Sequence, residues 1–199
     1  LDRVQSITEL ADIHFVRQQQ RAGLGDAVGY ARKHVGNEPF ALLLGDTIVQ
    51  GDRPCIELLI EYAEKYHTSV VSVEQVPWEK VSSYGVAATD GPSSTEACFP
   101  GEHFVEKPRA DDAPSNFAIT GRYVLTAEIF QALADTEPSV GGELQLTDAI
   151  NKLHDVRGTL LRGDRFDIGN IPDWLTANIA MALRHDEGTM NQAVRELYG

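Results

Sequence analysis

The chain has 199 residues and a formal net charge of −13, from 17 Lys+Arg against 30 Asp+Glu, and 42% of its residues are hydrophobic. That apolar fraction argues against a disordered chain. The acidic balance argues against holding a nucleic acid by bulk charge, and no apolar run approaches the roughly 20 residues a membrane helix needs. Two cysteines, Cys55 and Cys98, are too few for a disulfide framework. With no basic-then-apolar leader at the start, they predict a reducing cytoplasm.

In chain order, Leu1, Val4, Ile7 and Leu10 share the face of a helix that opens the sequence in mid-element. Ile13 to Arg17 reads as a short buried strand, and Asp26 to His34 as helix after a Gly23-Leu24-Gly25 loop. The run Phe40 to Leu44, closed by Gly45-Asp46, predicts a strand covered on both faces, as in a parallel sheet. Pro54 sits at the first turn of a helix in which Ile56, Leu59, Ile60 and Ala63 recur with i, i+3, i+4, i+7 spacing. Ser69 to Val76 is the next strand, so strand, helix and strand predict a βαβ crossover.

Tyr84 to Ala88, His103 to Val105, Phe117 to Leu125 and Thr159 to Leu161 read as further strands, and Thr89 to Gly101 as a loop. Thr126 caps a helix with Ile129, Phe130 and Leu133 inward; a second helix covers Leu144 to His154. Pro172 opens a last helix with Leu175, Ile179 and Ala182 on one side. The pattern is one α/β domain with a mixed sheet.

Asp46 follows a buried strand, where ligand crevices of open α/β sheets lie. Spacing alone leaves it open between a ligand for a hard cation and a turn residue. Asp167, in Phe166-Asp167-Ile168-Gly169, reads by itself as a turn residue; paired with Asp46 it could share one metal. Lys107, one of five lysines, could neutralise a phosphate or belong to an ordinary surface Glu106-Lys107 pair. Gln18 can present an amide to a pyrimidine edge, with Gly23 baring the backbone, or be one of three solvated glutamines. Gly85 is a strand-start glycine or backbone left bare for a sugar. Neither a metal-spaced His set, nor a nucleophile elbow, nor the Gly-x-Gly-x-x-Gly spacing occurs.

These signals occur in one order: Val16-Arg17-Gln18, Gly23 to Val28, Leu44-Gly45-Asp46, Ser83 to Val86, Val105 to Pro108, Ala113 to Leu125, Gly142 to Ala149, and Asp167 to Asn170. In that order the chain resembles the bacterial-type UTP–glucose-1-phosphate uridylyltransferases, or UDP-glucose pyrophosphorylases, over nearly its whole length. The resemblance implies a Rossmann-like nucleotidyltransferase fold with a mixed, mostly parallel sheet flanked by helices. It implies that Gln18 and Gly23 read the uracil and that Asp46 and Asp167 hold Mg²⁺. Glu106 and Gly85 would face the sugar, with Glu143 near it, and Lys107 would neutralise the sugar phosphate. The family's opening strand and Gly-x-Gly-Thr-Arg loop have no counterpart in the 199 residues. Residues 1–199 are therefore expected to form a single nucleotidyltransferase domain without that strand and loop. Where many relatives carry Pro before the metal-binding Asp, this chain has Gly45.

The implied partners are UTP, glucose 1-phosphate and UDP-glucose, with no nucleic acid and no membrane, in a homo-oligomer, dimer or tetramer. Two other readings stand beside this one. The first is a thymidylyltransferase or another sugar-1-phosphate nucleotidyltransferase of the same fold. The second is a non-catalytic nucleotide-sugar-binding regulator.

Overall fold

The computed structural model describes residues 10–92 and 97–184, with Ser6, Gln192 and Glu196. The expected opening helix lies outside the described residues, apart from Ser6 and Leu10, as does part of the loop after Thr89. Strands are β1 Phe40–Leu43, β2 Thr47–Gln50, β3 Ser69–Gln75, β4 Gly85–Ala88, β5 Cys98–Pro100, β6 His103–Glu106, β7 Phe117–Leu125, β8 Val156–Leu160 and β9 Asp164–Asp167. Helices are α1 Leu24–Tyr30, α2 Arg32–Val35, α3 Cys55–Tyr66, α4 Ile129–Ala134, α5 Leu146–Ile150 and α6 Ile171–Arg184.

The main sheet runs β5-β8-β3-β7-β4-β6, with β1 also on β7; β2 and β9 form a separate ribbon. Its spine is β7, Phe117–Leu125, buried from Ala118 to Leu125. β3 lines one edge of β7, while β4 and β1 share the other, β4 against Phe117 and Ala118 and β1 against Arg122 to Leu125. One large apolar cluster joins this sheet to α1, α4 and α5, through Val71, Ile119, Leu125, Ile129 and Leu146. A second, with Leu59, Val70 and Val124, seats α3 on the opposite face. The sheet thus has helices on both sides, the layered arrangement that hides two apolar faces.

The mixed α/β class is as expected, but the parallel weighting is not what the described ladders carry. β3–β8 is parallel, and the β1–β7, β2–β9, β3–β7, β4–β6, β4–β7 and β5–β8 ladders are antiparallel. β1 and β3 run the same way, as a crossover demands, yet β7 lies between them with opposite direction. β1 is not covered on both faces: it alternates, and Leu43 is 51% exposed. Among the described residues its one ladder partner is β7.

Other local readings also change. Ile13 to Arg17 joins no ladder, and Phe15 is 93% exposed. An apolar run needs a neighbouring strand to become one, and none of the described residues supplies it. Pro54 is the N-cap of α3 and not a first-turn residue. Thr126 does not cap α4 with its side chain; Glu128 holds the N-cap, and Thr126 Oγ1 lies 3.4 Å from Ser69 Oγ. The helix expected over Leu144 to His154 shortens to α5, Leu146–Ile150. On α6 the buried residue is Ala177, and Leu175 and Ile179 face outward.

Candidate active site

The β2–β9 ribbon brings the two aspartates to one end. Thr47 stands opposite Asp167 in its register, so Asp46 and Asp167 meet where the ribbon leaves the sheet. The Ile168 N–H donates to the Asp46 carbonyl at 2.7 Å, and the Gly169 N–H to Asp167 Oδ1 at 3.0 Å. A Cβ on Gly169 would lie 3.2 Å from Asp167 Oδ1 and 3.8 Å from Asp46 Oδ2. The two carboxylates therefore converge on the bare backbone of that glycine. A hard cation takes one or two carboxylates and fills its other positions with water and phosphate oxygens. The all-oxygen pair fits such an ion, with no third acidic, His or Cys ligand grouped there among the described residues.

The Asp46 loop is held from below by Arg122, on β7. Its Nη1 donates to the carbonyls of Leu44 at 3.1 Å and Gly121 at 3.0 Å, and Nη2 donates to the Thr47 carbonyl. Three bonds to backbone carbonyls let a buried guanidinium fix the loop. Burial pulls the Arg122 pKa down.

Glu106 ends β6 opposite Gly85 on β4. Thr147, on α5, donates to Glu106 Oε2 at 2.7 Å, and Lys107 Nζ lies 3.8 Å from Oε1. A Cβ on Gly85 would come within 3.1 Å of Thr147 Oγ1 and 3.2 Å of Glu106 Oε2. The glycine thus leaves clear space beside this carboxylate. Lys107 has φ 45°, in the left-handed region that a lysine rarely adopts. Its N–H donates to the Tyr84 carbonyl at 3.0 Å, which holds that turn.

These pieces face one cavity of about 280 Å³, lined by Asp46, Gly85, Glu106, Lys107, Glu143 and Asp167 among others. Six of the eight sequence-selected residues are therefore neighbours. Gln18 and Gly23 lie beside the cavity and not in its lining, although Leu24 is. They touch each other: Gln18 Nε2 donates to the Gly23 carbonyl at 3.2 Å and to Asp26 Oδ2 at 2.7 Å. With both amide protons engaged, the atom left for a ligand is the Oε1 acceptor. Gly23 has φ 105°, and a Cβ there would strike the Leu144 carbonyl at 2.6 Å. Its glycine is thus required first by the close passage of the Glu143-Leu144 segment.

The lining residues that escaped selection by sequence include Thr147, Tyr123 and Arg165. Thr147 and Tyr123 sat inside recognised stretches without a role, and Arg165 carried no signal. Arg165 Nε donates to Glu74 Oε1 at 2.6 Å; its guanidinium lies 4.7 Å over the Tyr84 ring and 3.7 Å from Asp167 Oδ2. Tyr123 is buried, and desolvation with the negative charges of Glu106 and Asp46 pushes its pKa above the usual phenol value.

The site thus gathers carboxylates at strand ends around a lysine, on a mixed sheet clad by helices. A family model described as Nucleotidyl transferase matches residues 2–183, and the chain belongs to that family. It is 42% identical over 190 residues to the UTP–glucose-1-phosphate uridylyltransferase of Bacillus subtilis (strain 168), covering 94% of this chain and 64% of that protein. The Staphylococcus epidermidis enzyme of the same name is 42% identical over 191 residues, with 94% and 65% covered. The chain therefore spans a little under two thirds of these relatives. Among solved structures, a UDP-glucose pyrophosphorylase complexed with UDP-glucose superposes with TM-score 0.85 and 35% identity, over 92% of this chain and 71% of that one. A UTP-bound enzyme from Acinetobacter baumannii does so with TM-score 0.82 and 34% identity, over 99% and 70%. Among the described residues no helix is long and apolar enough to cross a membrane.

Proposed function

We propose that this chain carries the active site of a UTP–glucose-1-phosphate uridylyltransferase, making UDP-glucose and pyrophosphate from UTP and glucose 1-phosphate. The observation that carries the reading is the meeting of Asp46, Asp167 and the Glu106-Lys107 pair, from three separate stretches of sequence, around one cavity. A phosphate oxygen of the sugar phosphate attacks the α-phosphorus of UTP in line, and pyrophosphate leaves. That oxygen is already an anion, so the site needs no general base. The barrier lies in bringing two anions together and aligning them. Lys107 neutralises the sugar phosphate, Glu106 and Gly85 orient the sugar with Glu143 at the rim, and Gln18 and Gly23 read the uracil. Asp46 and Asp167 would hold Mg²⁺, which would supply charge neutralisation at the phosphates.

Residues 1–199 act in this reading as one nucleotidyltransferase domain without the family's first strand and Gly-rich triphosphate loop; that β7 is the one ladder partner of β1 among the described residues supports it. A homo-oligomer is supported by the apolar stripe on α6, where Ile171, Trp174, Leu175 and Ile179 are exposed. The cytoplasm suits the two buried cysteines.

The test is pyrophosphate release from UTP and from dTTP with glucose 1-phosphate and Mg²⁺, using the intact natural protein. A preference for UTP, lost in Asp46→Ala with an unchanged circular dichroism spectrum, supports the reading. Equal or better use of dTTP makes it a thymidylyltransferase, and tight UDP-glucose binding without turnover makes it a regulator.

A further inference from the structure

The strand that delivers Glu106 is the outermost of its sheet. β6 pairs with β4, from Gly85 opposite Glu106 to Ala88 opposite His103, and no described strand covers its other edge. An uncovered edge leaves backbone N–H and C=O groups without strand partners. Here one side chain takes that place. Asn151, the C-cap of α5, accepts the Phe104 N–H at Oδ1 over 2.8 Å and donates from Nδ2 to the Phe104 carbonyl at 2.7 Å. A carboxamide carries an acceptor and a donor side by side, as a neighbouring strand does, so one residue closes both bonds.

Phe104 lies two residues before Glu106 on β6, and Asn151 lies four after Thr147, whose hydroxyl donates to Glu106 Oε2 at 2.7 Å. The Asn151 N–H donates to the Thr147 carbonyl at 3.3 Å, so the two share one helical turn and one face. Residues four apart on a helix are separated by about 6 Å along the axis, and two residues of strand span about 7 Å. The spacings match, so α5 runs against β6 in the opposite sense and holds it at two points. Thr147 aims the carboxylate, and Asn151 sets the height of the strand from which it projects. The Phe104 ring is 2% exposed and packs in the main cluster. That packing fixes which face of β6 turns inward, but apolar contact is non-directional and does not fix the strand along its edge.

We propose that Asn151 is a positioning residue for the sugar side of the site, standing in for a strand on the open edge of β6 so that Glu106 projects at a fixed height beside Gly85. It acts through Phe104 and Glu106 and touches no substrate itself. This rests on the sugar-nucleotide reading given above. Loss of the amide hands the Phe104 groups to water and lets the end of β6 move, and a misplacement of about 1 Å can cost about 10²-fold. Glucose 1-phosphate feels that movement at Glu106, whereas UTP is read on the Gln18-Gly23 side.

The experiment is steady-state kinetics of the intact natural protein, Asn151→Ala and Asn151→Gln, with each substrate varied in turn, alongside thermal melts. The expected result for Asn151→Ala is a KM for glucose 1-phosphate about tenfold higher, with the KM for UTP within about twofold. Asn151→Gln keeps donor and acceptor on a longer arm and is expected to recover most of that loss. If Asn151→Ala melts below the assay temperature, Asn151→Ser, whose one hydroxyl cannot serve both Phe104 groups, carries the same expectation. A lower melting temperature with both KM values unchanged overturns the proposal, since that pattern marks a residue of the fold alone, and leaves the uridylyltransferase reading standing. Equal rises for both substrates also overturn it. A wild type that releases no pyrophosphate from UTP and glucose 1-phosphate removes that reading and the proposal with it.

Discussion

Thr147 Oγ1 donates to Glu106 Oε2 at 2.7 Å across 41 positions of sequence, tying α5 to the end of β6. The bond aims a carboxylate whose side chain is 13% exposed. Thr147→Val keeps the β-branched shape and removes the hydroxyl. The expected outcome is about a tenfold rise in KM for glucose 1-phosphate with a smaller change for UTP, and about 1 kcal/mol lost from urea stability. Steady-state kinetics with each substrate varied in turn checks it; equal rises for both substrates would detach Thr147 from the sugar side.

Lys107 combines a charge facing the cavity with a left-handed backbone at φ 45°. Lys107→Ala and Lys107→Gly both remove the charge, and each is expected to lower kcat by about 10²–10³. They should differ in stability. Glycine relieves the left-handed strain that alanine retains, so Lys107→Gly should be the more stable by about 1 kcal/mol. Equal unfolding midpoints would mean that the surrounding turn relaxes in the alanine variant.

Gln18 has both amide protons engaged, by Gly23 and Asp26. Its Oε1 can accept the N3–H of a uracil, whereas cytosine carries a lone pair at that atom. Gln18→Ala should reduce the ratio of kcat/KM for UTP over CTP by about tenfold. Gly23→Val should fail for a further reason, because its side chain would collide with Leu144. An unchanged nucleotide ratio in Gln18→Ala would move base reading elsewhere.

Arg165 pairs with Glu74 with only 9% and 25% of their side chains exposed, and it reaches Asp167 at 3.7 Å. Arg165→Met leaves Glu74 without its partner, at a cost of about 3 kcal/mol. The double variant Arg165→Met/Glu74→Met should recover most of that loss in denaturant unfolding while activity stays low, because Asp167 has lost a neighbour on one side. Additive losses would show that the two side chains act independently.

Much was legible in the sequence by itself. Phe117–Leu125 and Ser69–Gln75 stand as strands because their β-branched, apolar residues are buried on both faces, and α3 because Ile56, Leu59 and Ala63 recur at helical spacing. The candidate carboxylates were visible too, since Asp46 and Glu106 each end an apolar run, the place where a sheet leaves its ligand crevice. Tertiary structure decided the rest. Ile13 to Arg17 has the composition of a strand but no described strand to pair with, and periodicity cannot report a partner. α6 has an amphipathic pattern, but only docking determines that Ala177 faces in and Leu175 out. The β2–β9 ribbon is too short to announce itself, yet its register is what sets Asp46 beside Asp167. Arg122, Thr147 and Arg165 read in sequence as strand, helix or surface residues. Their roles exist only as distances between atoms far apart in the chain, and such distances are set when the layers pack.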